Sequence, residues 1–357
     1  MTVKLVVNCA RISEARLVEV PAPALAEGEV RVVTGRFALT ANNISYAVTG
    51  GSIGYWRFFP HDEDGWGVVP VWGFGEVTES RAEGTPVGTR LWGFMPMASD
   101  LVMRPGRVTP AGLVDEAEHR AALPYVYNGY ARTNDDPAPL AEVADLRSLL
   151  FPLLTTAFVI DDYIADNGGF GADQVIIGSA SSKTAFGLAH YLHARGAQRV
   201  IGLTSPGNIG FVEGLGVYDH VIGYGAIDEL DPAVPSVFVD MSGDGAVVAA
   251  VHGHFAERVT ASIGVGATHW SAERAPRDLP GARPAFFFAP AQIAKRDEDW
   301  GPGVLMRRAV AANIDACGAL ARHMQVTEQQ GGPAIAAAYG ELVAGRTPPD
   351  RGLILSF

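Results

Sequence analysis

Residues 173–190 read DQVIIGSASSKTAFGLAH. Val175, Ile176 and Ile177 form a short β-branched run, the pattern of a strand buried on both faces. Gly178 and a cluster of small residues follow, and Thr184 to Ala189 reads as the start of a helix. Strand, small-residue turn and helix is the unit in which backbone N–H groups and a helix dipole cradle a pyrophosphate. The usual G-x-G-x-x-G is reduced here to Gly178 and Gly187, with Lys183 in the turn. Many α/β proteins carry such a unit without a ligand, so the flanking chain has to decide.

On the C-terminal side the alternation continues. Strands are expected at 174–177, 199–204, 220–223, 236–241, 258–263 and 285–288, and helices at 183–195, 208–215 and 245–255. Six near-continuous apolar strands with helices between them predict a parallel, doubly wound sheet. A helix is expected from Pro152 to Ala165, with the proline in its first turn. Further helices are expected at 303–322 and 333–344, and a closing strand at 353–355. The N-terminal half instead shows short runs at 3–8, 16–20, 29–33, 68–77, 88–94 and 101–103 with many turns, the pattern of a small barrel or sandwich. After strand 29–33 the chain is expected to leave for a loop at Ala38–Asn43.

The 357 residues allow two domains, each with its own core, and the content of 48% hydrophobic and 18% charged residues is that of a globular protein. A formal charge of −12 argues against nucleic acid and anionic membrane as partners. Cys9 and Cys317 are the only cysteines, too few for a disulfide framework or a cysteine zinc cluster. The N-terminus turns polar too early for a signal peptide, and the apolar stretch Leu149–Ile160 is short for a membrane span. The expected location is cytoplasmic.

Several segments, in order, resemble the medium-chain dehydrogenase/reductase superfamily, and within it the zinc-free, quinone-oxidoreductase-like branch. Gly28-Glu29-Val30-Arg31-Val32 is similar to the family's GEVLV strand, and Val87–Gly93 to its VGDRV-x-G. Leu203-Thr204-Ser205 through Phe211–Val217 resembles the second nucleotide-binding strand and the helix that follows. The tail from Ala338 to Gly345 and then Arg351–Leu355 resembles the family's ending. LPYVYNGY (123–130) and FFFAP (286–290) mark a divergent subgroup. The resemblance implies an α/β fold with a GroES-like β-barrel catalytic domain at 1–145 and 291–357 and a Rossmann domain, a doubly wound parallel sheet, at 146–290.

Zinc-dependent members carry a Cys near the Asn42 region and a His in a GHE motif. Here Gly73-Phe74-Gly75-Glu76 puts Phe74 at the His position, and phenylalanine ligates no metal. The expected cofactor is NADPH. NAD-selecting proteins place an acid at the end of the second strand, but here that strand ends in Thr204 and Ser205, whose hydroxyls suit a 2′-phosphate. The resemblance places Asn208 where NADPH-using relatives have Lys, and Tyr224 where an aromatic borders that phosphate. It further implies cofactor contacts from the turn (Ser179, Ala180, Ser181, Ser182, Lys183, Thr184) and from Asn42, Thr156, Met241, Ser242, Gly264 and Phe288.

For proton transfer, Tyr46 is the nearest phenol to the Asn42–Asn43 segment. It is either an acid toward an enolate or a core ring. Asn43 and Tyr127 are the other catalytic candidates. Tyr125, Tyr127, Asn128 and Tyr130 either line the site or pack a junction. Asp161 and Asp162 are helix neighbours that do not face one another, and His269 is a secondary candidate at the sheet's carboxyl edge. The expected reaction is hydride transfer to an enone, quinone or carbonyl of a small apolar or aromatic substrate. The alternative is an NADP(H)-binding protein without turnover. The last strand, Ala285–Phe288, should form a sheet edge that pairs with its own copy in a homodimer, unless residues 291–302 fold back over it.

Overall fold

Alternating runs and glycine-punctuated turns build two units in the computed structural model, which describes residues 1–266, 275–276 and 278–357. The first comprises Met1–Leu149 and Met324–Phe357, and the second Leu150–His323.

In the first unit, β1 (Thr2–Asn8) and β2 (Ala15–Val20) form an antiparallel pair. Then follow β3 (Val30–Leu39), α1 (Ala41–Val48), β4 (Trp66–Val68), β5 (Pro70–Ser80) and β6 (Arg90–Pro96). β7 (Asp100–Met103), β8 (Pro105–Gly106), β9 (Gly112–Asp115) and β10 (Gly129–Arg132) continue the β-rich half, and α2 (Ala138–Glu142) ends it. The main sheet is held by the long antiparallel pair β3–β5. Val30 and Val32 are fully buried while Arg31 and Val33 turn outward, the two-residue period of a half-buried strand. Gly73 and Gly75 let the two strands close. A Cβ at Gly73 would lie 2.6 Å from the Cβ of Phe37, and one at Gly75 2.6 Å from Cγ1 of Val32. The glycines flanking Phe74 are thus set by strand packing.

Two local expectations change. The segment after β3 is a helix, α1, because Thr40 and Asn43 form a capping box: the Thr40 N–H donates to Asn43 Oδ1 across 2.7 Å. The helix expected from Pro152 begins earlier, as α3 (Ala144–Asp166), with Pro152 inside it. Helix formers and a buried face on either side of the proline outweigh the one lost backbone bond. By length and composition this 23-residue helix passes as a membrane span, which the shorter stretch Leu149–Ile160 did not suggest. Leu150, Leu154, Ala157, Ile160 and Ile164 are nevertheless fully buried inside the protein, as in a core helix.

The second unit contains β11 (Gln174–Gly178), α4 (Lys183–Arg195), β12 (Arg199–Thr204), α5 (Ile209–Gly214), β13 (His220–Gly223) and β14 (Ser236–Asp240). It continues with α6 (Gly245–Phe255), β15 (Val259–Gly264), β16 (Pro284–Phe286), α7 (Ala289–Trp300) and α8 (Val304–Ala321). Its strands are all parallel, in the order β13-β12-β11-β14-β15-β16, the winding of a dinucleotide-binding sheet. Residues 291–323, assigned to the barrel from the sequence, group with this unit instead. Asn313 on α8 donates to Thr155 Oγ1 and accepts from Tyr191 OH, each at 2.8 Å. Arg296 on α7 pairs with Asp162 at 2.7 Å. These polar side chains were not legible as a packing face. The chain then returns to the first unit with β17 (Gln325–Gln330), α9 (Gly332–Val343) and β18 (Arg351–Ser356).

β16 lies at the sheet edge as expected, but it stops at Phe286, and all three of its residues are exposed. Phe287 lies beyond it, its ring 5.4 Å from that of Tyr163. In the segment after it, the Trp300 ring is met by the guanidinium groups of Arg296 and Arg308 at 4.3 and 4.4 Å.

Candidate functional site

In the second unit every residue of β11 is buried, and the chain leaves it through Ser179–Ser182 into α4. Ser179 takes a left-handed φ of 54°, a conformation usually left to glycine. Several bonds hold this turn. The Ser179 N–H donates to Tyr224 OH across 3.1 Å, and Tyr218 OH donates to the Ala180 carbonyl across 2.9 Å. The Ala180 N–H donates to the Leu203 carbonyl and that of Ser182 to the Ser179 carbonyl. Ser182 caps α4 by accepting from the Ala185 N–H. Among the described residues the N–H groups of Ser181 and Thr184 have no acceptor. Two free donors at the start of a 13-residue helix, with Lys183 between them, form an anion-ready terminus.

The end of β12 closes against the same turn. Thr204 is buried, Ser205 precedes the short turn Pro206–Asn208, and the Asn208 amide donates to Ser181 Oγ across 3.2 Å. No carboxylate stands at the end of β12. Tyr224 keeps to the first amide of the turn, and burial raises its phenol pKa. Asp240, at the end of β14, turns its carboxylate onto its own loop, accepting from the Ser242 N–H and hydroxyl and the Gly243 N–H. Gly178 packs close beside it, and a Cβ there would lie 3.1 Å from Asp240 Oδ1, a tight contact that the carboxylate would have to relieve by shifting.

Other expected cofactor contacts fare differently. Met241 and Ser242 are buried, and the Ser242 hydroxyl is bonded to Asp240. The Thr156 hydroxyl bonds back to the Pro152 carbonyl of its own helix at 2.9 Å. Gly264 ends β15 beside Phe286, and Phe288 caps α7. His269 lies outside the described residues.

In the first unit, α1 brings Asn42 and Tyr46 one turn apart onto one face. The Asn42 amide donates to Tyr46 OH across 2.7 Å, and Trp72 Nε1 on β5 donates to the same oxygen across 3.0 Å. Tyr46 is 5% exposed. Burial raises its phenol pKa, as does the neighbouring Tyr127, while the two donors act the other way. The Tyr46 ring lies 4.6 Å from Tyr55 and 5.3 Å from Phe94, and Tyr55 and Tyr127 share a 2.8 Å hydroxyl pair. Asn42, Tyr46 and Tyr127 are therefore brought together.

The fold engages both ends of the Asn43 amide. It is buried, its oxygen caps Thr40 and its nitrogen donates to the Pro70 carbonyl at 2.8 Å. Tyr130 is engaged as well: its hydroxyl donates to the Phe94 carbonyl and accepts from Arg120, whose partner Asp115 lies 3.1 Å away. Burial pushes the Tyr130 phenol up to about 12. Sequence reasoning missed Trp72, Tyr55 and Tyr218. Trp72 alone had a signal, because it precedes the Gly73-Phe74-Gly75 run. Among the described residues no group of three or more His, Cys, Asp or Glu side chains is placed to hold a metal.

The family model described as a protein of unknown function, DUF2855, matches residues 37–348. No curated protein matches the chain. CurA from Vibrio vulnificus is similar over 100% of this chain and 98% of that one, with 13% identity and a TM-score of 0.60. A mutant form of enoyl thioester reductase from Candida tropicalis is similar over 100% and 99%, at 11% identity and TM-score 0.59. The yhdH oxidoreductase from Salmonella enterica in complex with NADP is similar over 100% of both chains, at 15% identity and TM-score 0.55. At such identities the likeness is one of fold. The fold is that of the medium-chain dehydrogenases/reductases, a GroES-like barrel with a Rossmann sheet.

Proposed function

The chain belongs to the DUF2855 family, and from its fold and the turn at the head of α4 we propose that it is a zinc-independent, NADPH-dependent reductase. The observation that carries this reading is the pair of free N–H groups, Ser181 and Thr184, at the N-terminus of α4. That arrangement fits a pyrophosphate: two N–H groups without an acceptor, the helix dipole and a neighbouring lysine. Ser205, Asn208 and Ser181 would hold the 2′-phosphate, with no acid at the end of β12 to repel it. The similar yhdH oxidoreductase is in complex with NADP, which supports the choice.

Bound there, the cofactor supplies a hydride. The chain's own part is to orient that cofactor and to deliver a proton. Tyr46 is the proton donor in this reading, because it is a phenol whose oxygen is already held by two N–H groups. The acceptor is an enone, quinone or carbonyl, and the rings of Tyr46, Tyr55, Phe94 and Tyr127 suit an apolar or aromatic one. Phe74 in the place of a zinc-binding His supports a reaction without that metal.

The reading extends to a cytoplasmic homodimer. Phe286, 62% exposed on the edge strand β16, supports pairing with a second copy. Light scattering on the eluted protein should give twice the chain's 37.7 kDa, and Phe286→Lys should halve the mass. A monomeric mass at micromolar concentration would reject the dimer. Turnover is tested by following NADPH oxidation against a panel of quinones, enones and aldehydes. Consumption with at least one acceptor supports the reductase. Tight NADPH binding with no turnover on any of them would instead favour a binding protein.

A further inference from the structure

Hydrogen-bond bookkeeping at Tyr46 leaves one atom over. A phenol has one donor and can accept two bonds. Its oxygen receives both, from Asn42 Nδ2 at 2.7 Å and Trp72 Nε1 at 3.0 Å. An indole nitrogen only donates, so the direction of the Trp72 bond is fixed by chemistry. The Tyr46 proton itself has no acceptor among the described residues, although the residue is 5% exposed. Buried polar groups are nearly always paired, so each exception asks for a cause.

The Trp72 indole is itself held in place. It packs against Trp92 at 5.0 Å and an angle of 30°, and against Phe94 at 5.3 Å. Trp92 is pinned in turn, its Nε1 donating to Ser148 Oγ at 3.2 Å and its face covered by the Arg147 guanidinium at 4.4 Å. Asn42 is fixed from the other side by α1, one turn before Tyr46. Two independent elements, a helix and a strand, thus aim N–H groups at one oxygen.

We propose that Trp72 and Asn42 are positioning residues for Tyr46, holding its oxygen so that its proton points at an acceptor arriving from outside the chain. The proposal rests on the reading of Tyr46 as proton donor. After hydride addition to the far carbon of an activated double bond, the electron pair resides in an enolate. The Tyr46 O–H bond breaks, a C–H bond forms at the enolate carbon, and the O–H electron pair stays on the phenolate. The two N–H groups then face a negative oxygen, where hydrogen bonds are at their strongest. Water returns the proton afterwards.

The test places a fluorinated tyrosine at position 46, which ionises in an accessible range, and follows its ionisation by fluorine NMR without cofactor or substrate. Trp72→Phe keeps an aromatic ring and removes the donor. Its midpoint should rise by about one pH unit, a tenfold weaker acid. Asn42→Ala should raise the midpoint by a similar step and serves as the second variant should Trp72→Phe fold poorly. Unchanged midpoints in the folded variants would overturn the proposal. Turnover against pH separates it from the reading it rests on. If the midpoint moves and the basic limb of kcat moves with it, both stand. If the midpoint moves and kcat does not follow, the positioning holds and Tyr46 is not the donor.

Discussion

The side-chain amide of Asn208 donates to the hydroxyl of Ser181 across 3.2 Å, joining the end of β12 to the turn that follows β11. Ser205 lies three residues before Asn208 and precedes the short turn that carries it. A carboxylate at Ser205 would stand at the strand end where NAD-selecting proteins keep an acid. Ser205→Asp should therefore weaken NADPH binding by about tenfold, or about 1.4 kcal/mol, and leave NADH binding equal or improved. Fluorescence titration with both cofactors measures it, and an unchanged ratio would place the 2′-phosphate elsewhere.

Tyr46→Phe removes a proton and little volume. Turnover should fall by about a hundredfold or more, the range of general acid catalysis, while the affinity for NADPH stays within about twofold. Single-turnover reduction of the best acceptor is the measurement. Undiminished turnover would shift attention to Tyr127, whose hydroxyl pairs with Tyr55.

Arg120 and Asp115 form an ion pair in which each side chain is 1% exposed. Arg120 also donates to Tyr130 OH and lies 4.8 Å from the Phe59 ring. Removing one partner leaves a buried charge alone, so Asp115→Ala should cost about 3–5 kcal/mol of stability. Replacing both by apolar residues should cost less than the single change. Urea unfolding of the three proteins decides it, and a single change below about 1 kcal/mol would mean that the pair is not held as seen.

Asp161 is paired with Arg195 at 2.7 Å, yet burial dominates and raises its carboxyl to about 6 from the ordinary 3.8. A raised folded pKa means that the folded state binds the proton more tightly than the unfolded chain. The resulting stabilisation is complete below about pH 4 and is lost as the pH rises through about 6. Relative to Asp161→Asn, the parent protein should lose at most about 3 kcal/mol across that window. Urea midpoints measured against pH would show the two curves diverging, and parallel curves would contradict the raised carboxyl.

The parallel sheet was legible because its strands are apolar on both faces and its turns are marked by glycine. Strand–helix alternation over 173–264 carries that signal without help from distant residues. The capping box at Thr40 and Asn43 was missed because Asn replaces the usual Glu or Gln at the third position, and an Asn pair reads first as a turn. That same box ties Asn43 to Thr40, while its neighbour Asn42 reaches Tyr46. Trp72 was illegible as a partner because β3–β5 register and the pitch of α1 together bring it there, and neither is local. The placement of 291–323 turned on polar contacts such as Asn313 to Thr155, which carry no hydrophobic period.

The central claim is a preference for NADPH, and isothermal titration of the purified chain with NADPH and NADH tests it most directly. The account predicts a dissociation constant at least about tenfold lower for NADPH, set by Ser205, Asn208 and Ser181. Equal affinities, or no binding of NADPH at millimolar concentration, would contradict it.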